Sequence, residues 1–338
     1  MTDRKELSKR FLVTAGWGTS DRWALAGDAS DRRYDRLSME GHSAVLMDAP
    51  PGTAEDTATF ARIARHLADL GLSPPAIYAE DHENGFLLLE DLGDGLFSRL
   101  IAHDPGLEGA LYAGATDVLL AIHNSPTPID LPDLSAREWA EAAAFVLSWY
   151  VFAVSGEEPN SAEFVTVLEE LMRAYADDPR VMILRDYHAE NLLWLPDRHD
   201  VARVGLLDFQ LAQMGQPGYD LVSLLQDARR DVSAETEAAM IARFCAGKGI
   251  DPDVFAPSYA TLGAQRALRI LGVFARLCLK NGKGGYVSLM PRVWTQLQRN
   301  LEHPSLTPLA EICSALLPEP DPEALERIGN QCGRYAHR

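Results

Sequence analysis

Leu184-Arg185-Asp186-Tyr187-His188-Ala189-Glu190-Asn191 runs into Leu192-Leu193-Trp194-Leu195, a polar turn at Pro196-Asp197-Arg198-His199-Asp200, and then Val204-Gly205-Leu206-Leu207-Asp208-Phe209-Gln210. Two short apolar runs around a polar turn predict a β-hairpin. Such a hairpin brings Asn191, at the start of its first strand, close to Asp208, at the end of its second. Phosphoryl transfer needs a group to orient the attacking hydroxyl and hard oxygen ligands to hold magnesium against a triphosphate. Asp186 suits the first task. Asn191 and Asp208 suit the second.

An Arg-Asp pair alone marks a surface ion pair more often than a site, and Asp-Phe-Gln alone carries no information. The ordered set carries much more, because Asp186 and Asn191 stand five residues apart and a hairpin leads on to Asp208. Protein kinases have His-Arg-Asp, four residues and Asn, followed by Asp-Phe-Gly. Here Leu184 stands for the His and Gln210 for the Gly, and both departures point away from protein kinases. The Asp-x-His of Asp186-Tyr187-His188 also begins a binuclear metallophosphoesterase signature, but its partner motifs do not follow. His188 is therefore read as a structural loop residue.

The set resembles the aminoglycoside phosphotransferase-like family of small-molecule kinases. Further blocks, Asp28-Ala29-Ser30-Asp31-Arg32-Arg33-Tyr34, Met47-Asp48-Ala49-Pro50-Pro51, Gly85 to Gly93 and Arg269 to Leu277, look like one branch of it, the bacterial anomeric kinases of N-acetylmuramate and N-acetylglucosamine. The resemblance implies an α+β, two-lobed protein-kinase-like fold. It has a small β-rich nucleotide-binding lobe at 1–92 and a larger, mainly helical lobe at 93–338 that carries the catalytic loop and the acceptor site. It implies ATP and Mg2+ as cofactors and transfer to the anomeric hydroxyl of an amino sugar in cell-wall recycling. Another small alcohol, or an aminoglycoside, is the alternative acceptor.

By the same resemblance, the carbonyl of Glu90 and the N–H of Leu92 would hold adenine, and a small-residue loop from Ala26 to Ser30 would meet the phosphates. Small residues let backbone amides approach phosphate oxygens closely, although Gly-Asp and Ala-Ser also make ordinary turns. Gly16-Trp17-Gly18 lacks the third glycine of a dinucleotide fingerprint. Met47 stands where many relatives place a phosphate-binding lysine, and a thioether carries no charge. Either Arg32 or Arg33 supplies the cation in an active enzyme, or the chain is a nucleotide-binding pseudokinase regulator. The retention of Asp186, Asn191 and Asp208 favours activity. Gly218-Tyr219-Asp220-Leu221 resembles the Asp-Leu motif that follows the metal-binding Asp, which implies that Asp220 braces the catalytic loop; a helix cap is the plainer reading.

Composition bounds the rest. The 338 residues are 47% hydrophobic, enough for a sizeable core, and the formal net charge of -18 argues against a general nucleic-acid binder. The apolar run from Phe145 to Val154 is too short for a bilayer and predicts a buried helix within Ala136 to Val154. The charged N-terminal stretch is unlike a secretory signal, so a cytoplasmic monomer acting on a small molecule, without a membrane, is expected. Four scattered cysteines suggest neither a zinc site nor a disulfide framework.

Periodicity predicts a strand over Ala44 to Met47, a helix capped by Thr53 and running to Leu70, strands at Ile77-Tyr78 and Phe86 to Glu90, and helices over Leu111 to His123 and Ala162 to Tyr175. Seven basic residues against one acid lie between Ala256 and His303. Arg266, Arg269 and Arg276 fall within about 80° on one helix face and are the candidate substrate residues, with pairing to acidic helices as the alternative. Trp149, Tyr150, Tyr286 and Trp294 could stack on a sugar, but core packing is the expectation for each.

Overall fold

The computed structural model describes residues 4–25, 32–52, 56–127, 130–177 and 179–338. Along the chain run α1 (Arg4–Thr14), β1 (Asp21–Ala24), β2 (Arg33–Met39), β3 (His42–Asp48), α2 (Thr57–Asp69), β4 (Ile77–Asp81), β5 (Phe86–Glu90), α3 (Phe97–His103) and α4 (Glu108–His123). There follow α5 (Ala136–Ala143), a π-helix (Val146–Val151), α6 (Phe152–Ser155), α7 (Ala162–Tyr175), β6 (Val181–Ile183), β7 (Leu192–Trp194), β8 (Val204–Leu206) and β9 (Gln213–Gly215). The remainder is helical: α8 (Tyr219–Leu225), α9 (Ala234–Lys248), α10 (Pro252–Leu279), α11 (Met290–Leu301), α12 (Thr307–Leu316) and α13 (Pro322–Gly329). No helix among the described residues is long and apolar enough to cross a membrane.

These elements form two compact units, Met1–Pro128 with Ala189–Ala212, and Ile129–His188 with Gln213–Arg338. Besides the residues up to Leu92, the first unit takes in α3, α4 and the pair β7 and β8.

The first unit is built on a five-stranded antiparallel sheet in the order β1-β2-β3-β5-β4. Glu40 and Gly41 join β2 to β3 with φ of 52° and 82°, the left-handed pair that a two-residue hairpin turn requires. Strand alternation then sorts the side chains. Leu37, Ala44, Leu46, Phe86 and Leu88 pack with Phe11 and Leu12 of α1. Tyr34, Arg36, Val45, Met47, Leu87 and Leu89 occupy the other face, in a register that pairs Tyr34 with Met47 and Met47 with Leu87. The apolar positions of α1 are too few to announce an amphipathic helix in the sequence. The helix is held by Phe11 stacking on Phe86 at 5.6 Å and by Arg4 on Asp48.

The helix expected from Thr53 begins later. Thr53 lies outside the described residues, and Asp56 caps α2 by accepting the Ala58 N–H at 3.0 Å. Phe60, Ile63, Ala64 and Leu67 are buried as their spacing predicts.

In the second unit α10 is the central element, with Leu262, Leu268, Leu271 and Ala275 fully buried. The continuous helix expected over Ala136 to Val154 is broken: α5 ends at Ala143 and a wider π-turn runs from Val146 to Val151. The break lies where the backbone of α10 comes close. A Cβ on Gly272 would sit 2.5 Å from the Phe145 carbonyl carbon, so only glycine admits this backbone approach.

Candidate active site

The predicted hairpin forms. Leu192 pairs with Leu206 and Trp194 with Val204, and the Leu207 N–H donates to the Asn191 carbonyl at 2.9 Å. That bond closes the open end of the hairpin and sets Asn191 beside the residue preceding Asp208. Asp208 itself has φ 55°, a left-handed conformation that is uncommon for a residue with a Cβ and tends to persist where surrounding structure holds it. The hold comes from its neighbour: Phe209 is fully buried and stacks on Phe60 of α2 at 4.8 Å. Such a ring pair contributes about 1 kcal/mol beyond its buried area.

Gln210, the departure from Asp-Phe-Gly, is buried, and its Nε2 donates to Asp208 Oδ1 at 2.6 Å. A glycine could not orient the carboxylate in this way. The Asp208 side chain stays 44% exposed, and Asn191 is half-buried. Two hard oxygen donors at one end of a hairpin fit magnesium, which takes one or two protein oxygens and completes its shell with phosphates and water.

The same unit separates the two candidate cations. Arg33 is exposed at the start of β2, whereas Arg32 is 3% exposed and its Nη1 lies 3.8 Å from Asp208 Oδ1. Arg32 immediately precedes β2, whose Tyr34 and Arg36 lie on the face that carries the fully buried Met47. Ser30 and the rest of the small-residue loop lie outside the described residues.

At the end of β5, the Glu90 N–H donates to the Ala76 carbonyl at 2.8 Å, and its side chain meets Arg198 and the Ala76 N–H. Asp91 is gripped by the Arg36 guanidinium at 2.9 and 3.0 Å and accepts the Gly93 N–H at 3.0 Å. Gly93 has φ 83°. The segment from Glu90 to Gly93, with Leu92 half-buried in it, is thus a fixed turn whose side chains are tied down on both flanks.

Asp186 is positioned within the second unit. β6 pairs with β9 through Val181–Gly215 and Ile183–Gln213, and the chain leaves β6 directly into Arg185 and Asp186. Arg185 has φ 73°. The fully buried Asp220 of α8 holds this bend by accepting the Leu184 N–H at 2.5 Å and the Arg185 N–H at 2.8 Å. The Ser223 hydroxyl adds a bond to the Arg185 carbonyl at 3.2 Å. Gly218, not Asp220, stands at the helix N-cap, so Asp220 is a brace. Burial pushes its carboxyl up to about 7, against the two amide bonds that favour the anion. His188 is buried, and its imidazole is held well below the ordinary histidine range by burial and then by the charges of Arg229 and Arg266. It is a neutral loop residue with the Arg229 guanidinium 3.3 Å from Nε2.

The three arginines of α10 part company. Arg266 is buried, donating to Ser223 Oγ at 2.8 Å and to the Gln226 carbonyl at 3.5 Å, so it supports the brace beneath Arg185. Arg269 is half-buried, with Nη1 3.4 Å from the Tyr219 hydroxyl. Arg276 is exposed over the Phe145 ring. Of the other basic residues in this stretch, Arg292 pairs with Asp231 and Arg299 with Glu237. The aromatic candidates are largely structural: Tyr150 is fully buried with its hydroxyl on the Pro318 carbonyl at 2.7 Å, and Tyr286 packs against Phe274 at 5.1 Å.

Comparison with known proteins accords with this geometry. Residues 23–257 match the model of the phosphotransferase enzyme family APH. The chain is 38% identical to the N-acetylmuramate/N-acetylglucosamine kinase of Caulobacter vibrioides, over 91% of this chain and 95% of that one. It is 32% identical to the kinase of the same name from Pseudomonas aeruginosa, over 90% and 92%. Solved structures with the same fold include the choline kinase of Streptococcus pneumoniae, with a TM-score of 0.57 at 15% identity over 91% of this chain and 99% of that one. They also include an aminoglycoside phosphotransferase in complex with ADP and hygromycin B, with a TM-score of 0.59 at 17% identity over 86% and 97%. With Asn191 and Asp208 set by the hairpin, Asp186 set by Asp220, and a family match across most of its length, this chain belongs to the APH phosphotransferase enzyme family.

Proposed function

We propose that the protein transfers the γ-phosphate of ATP to the anomeric hydroxyl of an N-acetylated amino sugar, N-acetylmuramate or N-acetylglucosamine, as a cytoplasmic monomer. The observation that carries the reading is that the phosphotransfer set Asp186, Asn191 and Asp208 is complete in a chain 38% identical, almost end to end, to a kinase named for both sugars. In this reading Asp186 accepts a hydrogen bond from the attacking hydroxyl and orients it, while Asn191 and Asp208 hold magnesium, which neutralises phosphate charge when bound. The Glu90 carbonyl and Leu92 N–H take the adenine, and Ser30 belongs to the phosphate loop. Arg32, with Arg33 outside it, replaces the cation absent at Met47. One or more of Arg266, Arg269 and Arg276 serves the acceptor.

The pseudokinase reading rests on Met47, whose fully buried thioether leaves the sheet face without an ammonium. The burial of Arg32 beside Asp208 supports the active reading instead. A coupled nucleotide-consumption assay across N-acetylated amino sugars, choline, homoserine and aminoglycosides decides the matter. Turnover should be highest with an N-acetylated amino sugar and depend on magnesium. A preference for kanamycin or choline would overturn the acceptor assignment. ATP binding without turnover of any acceptor would favour the regulator.

A further inference from the structure

Arg185 and Arg269 are two guanidinium groups, both within the second unit, with no carboxylate of the described residues in ion-pair contact. Arg269 makes a single long contact, to the Tyr219 hydroxyl at 3.4 Å. The Arg185 side chain is largely buried, and its Nε has no hydrogen-bond partner among the described residues. Its backbone is fully engaged by Asp220 and Ser223, so the bend is fixed while the side chain is not. Asp220 holds Arg185 and Tyr219 meets Arg269, and these are the first two residues of α8, so both arginines come to the first turn of that helix. Burial, and next the charge of Arg269, lower the Arg185 guanidinium from its ordinary value. Tyr219, Asp186 and Asp220 oppose that effect only in part.

Buried guanidinium groups are normally met by acids or carbonyls, because an uncompensated buried charge is strongly unfavourable. Buried Arg266 obeys that rule through the Gln226 carbonyl and the Ser223 hydroxyl, and even the more exposed Arg292 and Arg299 are paired with acids. Arg185 and Arg269 break it together, next to the residue assigned to orient the attacking hydroxyl. Two guanidinium forks and a phenol together carry several N–H and O–H donors, the groups that bind a carboxylate most strongly.

We propose that Arg185 and Arg269, with the Tyr219 hydroxyl, form an anion subsite that takes a carboxylate carried by the acceptor. This rests on the amino-sugar reading for the identity of the acceptor: N-acetylmuramate bears a lactyl carboxylate, and N-acetylglucosamine does not. The subsite makes Arg185 a specificity residue adjacent to Asp186. It also assigns the acceptor role on α10 to Arg269, with Arg266 acting through Ser223 and Arg276 outside the subsite.

The test compares kcat/KM for N-acetylmuramate and for its methyl ester, which differ in one charge, in the wild type and in Arg269→Gln, Arg269→Lys and Arg185→Gln. The acid-to-ester ratio should fall by roughly 10- to 100-fold in the two Gln variants, the range of a charged hydrogen bond, and by less in Arg269→Lys. Melting temperatures provide the folding control: removing one of two repelling cations should leave Arg269→Gln as stable as the wild type. An unchanged ratio in the folded Gln variants overturns the subsite. So does a rise in the KM for ATP with no change in the ratio, which would give the two arginines to the nucleotide's phosphates instead. If the wild type phosphorylates neither compound nor N-acetylglucosamine, the amino-sugar reading fails on its own. The subsite is then judged by D-lactate, which should raise the melting temperature of the wild type and not of Arg269→Gln, whereas neutral propane-1,2-diol should raise neither. No response of the wild type to D-lactate sinks it.

Discussion

The Asp220 carboxylate accepts the backbone N–H of Arg185 at 2.8 Å and that of Leu184 at 2.5 Å, and so holds the left-handed bend that presents Asp186. Asp220→Asn keeps the shape but turns an NH2 toward one of two donors. Urea denaturation should show a loss of roughly 2 kcal/mol, as for a buried donor left unmade. A fall in kcat should accompany it, because the bend sets the position of Asp186.

The same residue predicts a pH dependence of stability. Burial raises its carboxyl from 3.8 to about 7, so in the folded protein it keeps a proton that the unfolded chain has already lost. Its contribution is therefore undiminished below the unfolded value, falls as pH rises through the window between the two, and levels off above about 7. A shift of this size corresponds to roughly 4 kcal/mol. Unfolding free energies measured across that window should decline in the wild type and decline much less in Asp220→Asn. Equal slopes would remove Asp220 as the source.

Asp186→Asn should lower kcat by about two to four orders of magnitude while leaving nucleotide affinity nearly unchanged, since the proposed role of the carboxylate is to orient the acceptor. Asn191→Ala and Asp208→Ala should instead raise the magnesium concentration needed for half-maximal rate. Stopped turnover assays with magnesium titrations separate the two patterns. Near-normal turnover in Asp186→Asn would withdraw its role.

Arg32 and Arg33 are adjacent in sequence, yet only Arg32 lies buried beside Asp208. Arg32→Ala should raise the KM for ATP by an order of magnitude or more, in the range of lost charge-assisted hydrogen bonds. Arg33→Ala should change it less than about twofold. Met47→Ala should cost about 2–4 kcal/mol of stability through the cavity it leaves, with little effect on the KM for ATP. Initial-rate kinetics and thermal melts of the three variants check this, and equal kinetic effects at Arg32 and Arg33 would contradict the assignment.

Gly272→Ala places a methyl group 2.5 Å from the Phe145 carbonyl carbon and 2.6 Å from its oxygen. Backbone cannot rotate away as a side chain can, so α10 or the π-turn must shift. A loss of at least roughly 2 kcal/mol is expected in chemical denaturation. A neutral effect would mean that the π-turn yields readily.

What the sequence determined by itself was whatever depends on near neighbours. The hairpin from Leu192 to Leu206, the buried positions of α2, the helix over Ala162 to Tyr175 and the spacing of Asp186, Asn191 and Asp208 are all local patterns, and each was legible. The tertiary structure alone decided which of two consecutive arginines meets Asp208, because packing buries Arg32 against the hairpin end and leaves Arg33 exposed. It decided that Gln210 orients the Asp208 carboxylate, and that Arg266 supports Ser223 while Arg269 meets no acid among the described residues. It also broke the helix expected through Val154 where α10 crosses at Gly272. Each of these depends on contacts between segments far apart in the chain, whose partners no local periodicity specifies.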